Sequence, residues 1–186
     1  GEHYRVTGTQ VMPINTLFQL YSMKEASDPQ LDVADKLLFM PDLFSYFLTG
    51  TANTEYTIAS TSELLDARCR CWSSDTIRAV GLPEHLFGEI VFPGHVRGRL
   101  TEEVARETGL GAVDVIAVGS HDTASAVAAA LVTNETVAYL SSGTWSLLGV
   151  ELDRPVLTEG ARMAQFTNEG GVGNRICFLQ NITGLW

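Results

Sequence analysis

The run Val115-Ile116-Ala117-Val118-Gly119-Ser120-His121-Asp122-Thr123-Ala124-Ser125-Ala126-Val127-Ala128-Ala129-Ala130 changes character in its middle. An apolar, strand-like succession stops at Gly119, and an Ala-rich stretch of helical grammar begins just after Asp122. A carboxylate therefore falls at a strand-to-helix turn. Such turns lie at the carboxyl edge of an open α/β sheet, where that architecture places its ligand crevice. A little further on, a second expected strand, Thr136 to Leu140, runs into Ser141-Ser142-Gly143-Thr144. That small, hydroxyl-rich turn is suited to a phosphate.

Strand and helix alternate on this side of the chain. The pattern predicts a helix from Glu102 to Thr108, a strand from Val113 to Val118 and a helix from Thr123 to Leu131. Strands follow at Thr136 to Leu140 and Ser146 to Leu152, joined across Ser141 to Trp145, with further β candidates at Met163 to Thr167 and Arg175 to Gln180. This predicts an α/β or α+β arrangement with a mixed sheet. From Met12 to about Phe92 the grammar is helical instead. Ile14, Leu17, Phe18 and Tyr21 recur at helical spacing, and Leu37, Leu38, Met40, Leu43, Phe44, Phe47 and Leu48 form a broader apolar face. Asp32 or Asp35 is a candidate cap for that second helix, Gly50 closes it, and Pro41 marks a kink or a new start. Thr57 to Leu65 reads as helix or loop, and Gly81-Leu82-Pro83 as a turn between short helical pieces. Phe92 to Leu100, with its Gly and Pro, reads as a connection between domains.

Composition narrows the classes. With 45% hydrophobic and 18% charged residues the chain is an ordinary globular one. No apolar run approaches the roughly 20 residues of a membrane span, and no basic flank leads into a signal core. A cytoplasmic location is expected, with no membrane partner. The net charge of −10 opposes nucleic-acid phosphates. It leaves room for a nucleotide held by backbone N–H groups, helix N-termini and a metal ion. Three cysteines suggest no disulfide framework, and Cys69-Arg70-Cys71 has the wrong spacing for a zinc knuckle, so buried or incidental thiols are expected. Asn134-Glu135-Thr136 and Asn181-Ile182-Thr183 match a glycosylation acceptor but carry no weight here. A start without Met and an apolar ending at Gly184-Leu185-Trp186 lead us to expect a fragment of a longer protein.

Asp122 has three candidate roles: helix cap, metal ligand or general base. A cap there contributes roughly 1 kcal/mol, and the helix N-terminus favours an ionised carboxylate in any of these roles. The small residues Gly119, Ser120, Thr123, Ala124 and Ser125 leave space for a polar ligand. His121 beside it is a donor or acceptor, or a satisfied structural residue. Ser120-His121-Asp122 has the residue types of a hydrolytic triad, but sequence neighbours diverge and cannot form that relay. Gly-x-Ser-x-Gly, Gly-Lys-Thr and His-Glu-x-x-His words are absent. The turn at Gly143 and Thr144 is either a phosphate-binding hairpin or a plain bulged one. Asn168 to Asn174 reads as a flexible turn. Asn181, taken to follow a strand, is a turn former or a donor to a sugar hydroxyl.

Several longer words resemble the FGGY family of carbohydrate kinases, and within it the rhamnulokinase branch. They are Met12-Pro13-Ile14-Asn15-Thr16-Leu17, Met40-Pro41-Asp42 with Leu48-Thr49-Gly50, Ser120 through Val127, Tyr139 through Ser146, and Asn181-Ile182 with Gly184-Leu185-Trp186. The resemblance implies an actin-like, ribonuclease-H-like fold of two domains closing on a cleft. Residues 1–98 would be the helix-rich end of a sugar-binding domain and residues 99–186 the start of a nucleotide-binding domain. It implies Asp122 as the base for the 1-hydroxyl of L-rhamnulose, with L-rhamnulose 1-phosphate and ADP as products, as in rhamnose catabolism. His121, Thr123 and Asn181 would hold the ketose, and Thr144 with Gly143 would contact the phosphates of ATP. Magnesium would bridge those phosphates, with no residue assigned as its direct ligand. The family's first phosphate loop and its adenine site are both missing from the chain, so the chain alone is expected to bind ATP poorly, not to turn over, and to self-associate through uncovered apolar surface. Alternatives are a kinase for xylulose, fuculose or glycerol, or a non-catalytic sugar-binding module.

Overall fold

The computed structural model of the chain describes residues 1–130 and 137–184. In chain order the elements are α1 (Glu2–Thr7), α2 (Thr16–Glu25), α3 (Gln30–Val33), α4 (Met40–Thr49), β1 (Thr54–Glu55), α5 (Tyr56–Ala59), β2 (Leu65–Asp66), β3 (Cys71–Trp72), α6 (Ser74–Ala79), β4 (Ile90–Val91) and β5 (Val96–Arg99). They continue with α7 (Glu102–Thr108), β6 (Asp114–Ile116), α8 (Asp122–Ala129), β7 (Ala138–Ser142), β8 (Trp145–Leu152), α9 (Glu159–Met163), β9 (Phe166–Gly170) and β10 (Ile176–Thr183). The expected end of one helix at Leu131, the start of a strand at Thr136, the tripeptide at 134–136 and the terminal Leu185-Trp186 lie outside the described residues.

The helical half buries an apolar cluster of Leu17 and Leu20 from α2, Leu31 from α3, Leu64, Ile77 from α6, Leu82 and Leu86, and a smaller one of Tyr56, Ala59 and Leu65. Each such side chain contributes on the order of 1.5–3 kcal/mol by leaving water. Pro41 lies in the first turn of α4, where its missing N–H is no loss, so it starts a helix and does not kink one. Gly50 ends α4 with φ 72°, its N–H donating to Tyr46 O at 2.7 Å, a conformation glycine adopts without a Cβ clash. Neither Asp32 nor Asp35 caps α4. Asp32 sits inside α3, and the extended Phe39 precedes α4 with no side-chain cap. The broad apolar face of α4 is turned outward, with Met40, Phe44 and Phe47 exposed.

The second half holds an antiparallel four-stranded sheet in the order β7-β8-β10-β9. The one parallel pair, among the described residues, is the short β1 and β4. Phe92 to Leu100, expected as a connection, carries β5, which pairs antiparallel with β6. Met163 closes α9 and begins no strand, because the Thr158 hydroxyl accepts from Ala161 N and starts a helical turn there. Asn168, Glu169 and Gly170 belong to β9, so the expected flexible turn shrinks to Gly171–Asn174.

The cysteine expectation also changes. Cys69 and Cys71 form a disulfide at the tip of the β2–β3 hairpin, where Arg70 takes a left-handed conformation with φ 57° and residues two apart come to face one another. Cys177 is a buried free thiol. Among the described residues no helix is long and apolar enough to cross a membrane.

Candidate active site

The Gly119–Asp122 loop is held from below by two side chains of the helical half. Oε2 of the buried Glu55 accepts from Ser120 N at 3.0 Å, and the Thr57 hydroxyl accepts from His121 N at 3.0 Å while itself donating to Glu55 Oε2. Glu55 also accepts from Thr57 N and Ile58 N, capping α5. Its backbone N–H donates in turn to Asp42 Oδ1 at 3.0 Å, and Asp42 pairs with Arg97 at 2.9 Å. Arg97 donates further to Asn53 Oδ1 at 2.7 Å and Asn53 O at 2.6 Å. Desolvation raises the Asp42 pKa, outweighing the lowering effects of the Glu55 N–H and the Arg97 cation. Gly119 is needed where it is, because a Cβ there would meet Val172 Cγ2 at 2.9 Å.

On this base α8 turns its buried Thr123, Ala124 and Val127 to the interior and leaves Asp122 outward, its side chain 97% exposed. The capping expectation is not met in its usual form. His121 occupies the cap position without a side-chain cap bond, and Asp122 is the first helical residue. Its Oδ1 accepts from Thr123 N at 2.7 Å and lies 3.5 Å from Thr123 Oγ1. His121 lies between two carboxylates, Nε2 at 3.7 Å from Asp122 Oδ1 and Nδ1 at 3.5 Å from Glu169 Oε2. Burial raises the Glu169 pKa, the His121 cation opposes that, and Asp122 adds to it.

One cavity of about 620 Å³ collects these groups. His121, Asp122, Thr123, Gly143, Thr144 and Asn181 all line it, as do Met12, Asn15 and Glu169. Every candidate residue from the sequence therefore meets at one opening, from elements as distant as α8, the β7–β8 turn and β10. Their details differ from expectation in two places. The Gly143 N–H already donates to Trp145 O at 2.7 Å, and the Ser142 hydroxyl lies 3.1 Å from that of Ser146, while Thr144 is exposed at the tip of the turn. Asn181 lies within β10 opposite Leu147, and its amide reaches Gln10 Oε1 at 3.4 Å, so it follows no strand and forms no turn.

Three carboxylates that matter here escaped the sequence reading: Glu55, Glu169 and Glu63. The buried Glu63, with φ 62°, accepts from Met12 N at 2.9 Å and Asn15 Nδ2 at 2.8 Å, and lies 2.9 Å from His3 Nε2. It thereby pins the Met12–Asn15 segment as a wall of the cavity. The available signal was weak: an acid among Ser, Thr and Leu, as in Thr61-Ser62-Glu63-Leu64-Leu65, reads as a solvated turn unless its partners are known.

Residues 2–129 match the model of the FGGY family of carbohydrate kinases, N-terminal domain. A rhamnulokinase of Bacteroides thetaiotaomicron is 55% identical over all of this chain, which covers 38% of that protein. One from Pectobacterium atrosepticum is 43% identical over 98% of the chain and is itself covered to 36%. The chain thus spans little more than a third of the length of these curated relatives. Among solved structures, a ligand-bound xylulose kinase from Lactobacillus acidophilus superposes with a TM-score of 0.83 at 17% identity, over 95% of this chain and 36% of that one. A Plasmodium falciparum glycerol kinase with ADP gives 0.82 at 15% identity, over 98% of this chain and 37% of that one. These likenesses establish the fold, the actin-like one of the sugar kinases, and the sequence match settles the lineage: the chain belongs to the FGGY family of carbohydrate kinases.

Proposed function

We propose that the protein to which this chain belongs is an ATP-dependent kinase that phosphorylates the 1-hydroxyl of L-rhamnulose. The observation that carries this reading is the exposed Asp122 carboxylate at a helix start, in one cavity with the Gly143-Thr144 hairpin. In that arrangement Asp122 accepts the proton of the 1-hydroxyl as the oxygen attacks the γ-phosphorus and ADP leaves. Phosphoryl transfer passes through a loose transition state, so alignment and charge stabilisation carry most of the catalysis. His121 and Asn181 orient the ketose, the buried Thr123 does so mainly by steadying Asp122 Oδ1, and Thr144 meets the phosphates with Gly143 allowing their approach. The rhamnulokinase names of the relatives support the choice of sugar.

Among the described residues no group of three or more His, Cys, Asp or Glu side chains is placed to hold a metal ion. A magnesium ion arriving with the nucleotide would be held mainly by phosphate oxygens and water, with no side chain of this chain assigned to it. When bound, it would supply neutralisation of the phosphate charge. Residues 1–98 would then serve mainly the sugar and 99–186 mainly the nucleotide, and the chain by itself would bind ATP poorly.

The full-length protein tests this by coupled ADP detection on L-rhamnulose, xylulose, fuculose and glycerol. L-Rhamnulose should give the highest kcat/KM, and a faster rate on xylulose or glycerol would overturn the choice of substrate. Asp122→Asn should lose roughly 10²- to 10⁴-fold in kcat with sugar binding retained. An unchanged rate would remove Asp122 from the reaction.

A further inference from the structure

The two acids that flank His121 have opposite surroundings. Asp122 is almost wholly exposed, whereas the Glu169 side chain is 9% exposed, belongs to β9 one residue before its end, and has its Oε2 buried with no hydrogen-bond partner. A buried polar atom left unpaired costs about 1–3 kcal/mol, and more if charged. Glu169 nevertheless lines the cavity beside His121 and Asp122. The titratable groups that face it are those two from the start of α8, Cys177 opposite it on β10, and Tyr139 from β7. Burial pushes the Cys177 thiol up to about 11 and the Tyr139 phenol above its ordinary value, so both stay neutral near pH 7.

We infer that Glu169 is a positioning residue: Glu169 and His121 share one proton, and the pair keeps a hydrogen on His121 Nε2, directed at Asp122 and the bound sugar. This rests on the reading of Asp122 as the base. Two arrangements place the shared proton. On Glu169, it is donated to Nδ1 once the 3.5 Å separation, at which the two are not yet hydrogen-bonded, closes by a few tenths of an ångström, and the neutral imidazole carries its own hydrogen on Nε2. On His121, the imidazolium carries hydrogens on both nitrogens. Each keeps a hydrogen on Nε2, the nitrogen that lies 3.7 Å from Asp122 Oδ1. The third arrangement, an ionised Glu169 facing Nδ1–H of a neutral ring, would set a bare Nε2 lone pair against the Asp122 carboxylate, and burial of Glu169 opposes that ionisation. Oδ1 already accepts from Thr123 N and lies 3.7 Å from His121 Nε2, so Oδ2 is the oxygen left to receive the substrate's proton.

Glu169→Gln keeps the shape and removes the exchangeable proton. In the full-length protein its kcat should fall about ten- to hundredfold, the scale of a misaligned reacting group, with the KM for L-rhamnulose nearly unchanged. Nitrogen-15 spectra of the histidine ring should show hydrogen on Nε2 of His121 in the wild type and a partial move to Nδ1 in the variant. Wild-type kcat in Glu169→Gln, or a loss of stability with kcat and ring tautomer unmoved, overturns the inference. Should the variant fail to fold, the wild-type spectrum decides, since hydrogen on Nδ1 alone sinks the shared proton. A dead Asp122→Asn beside a fully active Glu169→Gln refutes this inference only, whereas an active Asp122→Asn refutes the base reading on which it stands.

Discussion

Asp42, Glu55 and Glu63 in the helical half and Asp122 and Glu169 at the cavity are acids put to opposite uses. The first three are fully buried and hold structure: Glu55 gathers the N–H groups of Thr57, Ile58 and Ser120, Glu63 ties down Met12 and Asn15, and Asp42 answers Arg97. Asp122 is open to solvent and bonded to its immediate neighbour, and Glu169 is buried but keeps an oxygen unpaired. Glu55 and Glu63 have traded water for fixed donors, Asp42 relies on Arg97 and leaves Oδ2 unpaired, and the loop bearing His121 and Asp122 is tied to Glu55 and Thr57 through two backbone N–H groups. Loss of a scaffold acid or its partner should therefore appear as lost stability, and loss of a cavity acid as lost rate.

The pair Arg97–Asp42 gives the largest effect on the stability side. Arg97→Met fills the same volume but strands the Asp42 carboxylate without its cation, which for a buried pair costs about 3–5 kcal/mol. Urea titration measures it. The cost should also grow with pH. Asp42 already has a folded pKa above its ordinary value, so its protonated form is favoured in the folded state, and that support is lost as pH rises through the folded value. Without Arg97 the window extends upward, so the variant should be closer to wild type at pH 5 than at pH 8. A pH-independent loss would mean that packing, and not the charge pair, holds this corner.

The same contrast explains what could be read from the sequence. The strand–turn–helix around Asp122 was legible because Gly119 and the Ala run leave one sensible interpretation, and α7 from Glu102 to Thr108 because Thr101 caps it and Gly109 ends it. Pro41 and Gly50 likewise punctuate α4. The cavity residues could be named individually, since Asp122, Thr144 and Asn181 sit in distinctive words, yet their meeting depends on pairings such as Asn181 with Leu147 that local patterns do not encode. Glu55, Glu63 and Glu169 stayed hidden because a buried acid looks like a surface acid until its donors, dozens of residues away, are in place. The disulfide was hidden for the reverse reason: Cys69 and Cys71 need only a left-handed Arg70 between them, which composition does not announce.

Glu169 offers a sharper test, because it is buried like a scaffold acid but has neither the several donors of Glu55 and Glu63 nor the close guanidinium that Asp42, with its own unpaired Oδ2, finds in Arg97. Desolvation raises its folded pKa above the unfolded value, so the folded protein holds that proton more tightly. Wild-type stability should therefore fall as pH rises from the ordinary carboxylate range through the folded value, with the facing His121 cation opposing the trend and Asp122 strengthening it. Glutamine has no proton to lose. Glu169→Gln should accordingly gain on wild type with rising pH in thermal melts, and parallel stability curves would place Glu169 with Glu55 among the saturated acids.

The smallest effect should come from the β2–β3 hairpin, which contributes neither a buried charge nor a cavity wall. Its disulfide closes a loop of only three residues, and chain entropy gives so short a loop about 1–2 kcal/mol. Cys71→Ser, or reduction of the wild type, should lower the melting temperature by that modest amount and leave kcat and KM unchanged, since both cysteines are exposed and neither lines the cavity. A change in turnover on reduction would mean that strain at Arg70 reaches the cavity. The route open to it is through Asn174, which Arg70 contacts and which lies in the turn that leads from β9, the strand bearing Glu169, into β10. The separation of structural from catalytic acids would then have to be redrawn around that turn.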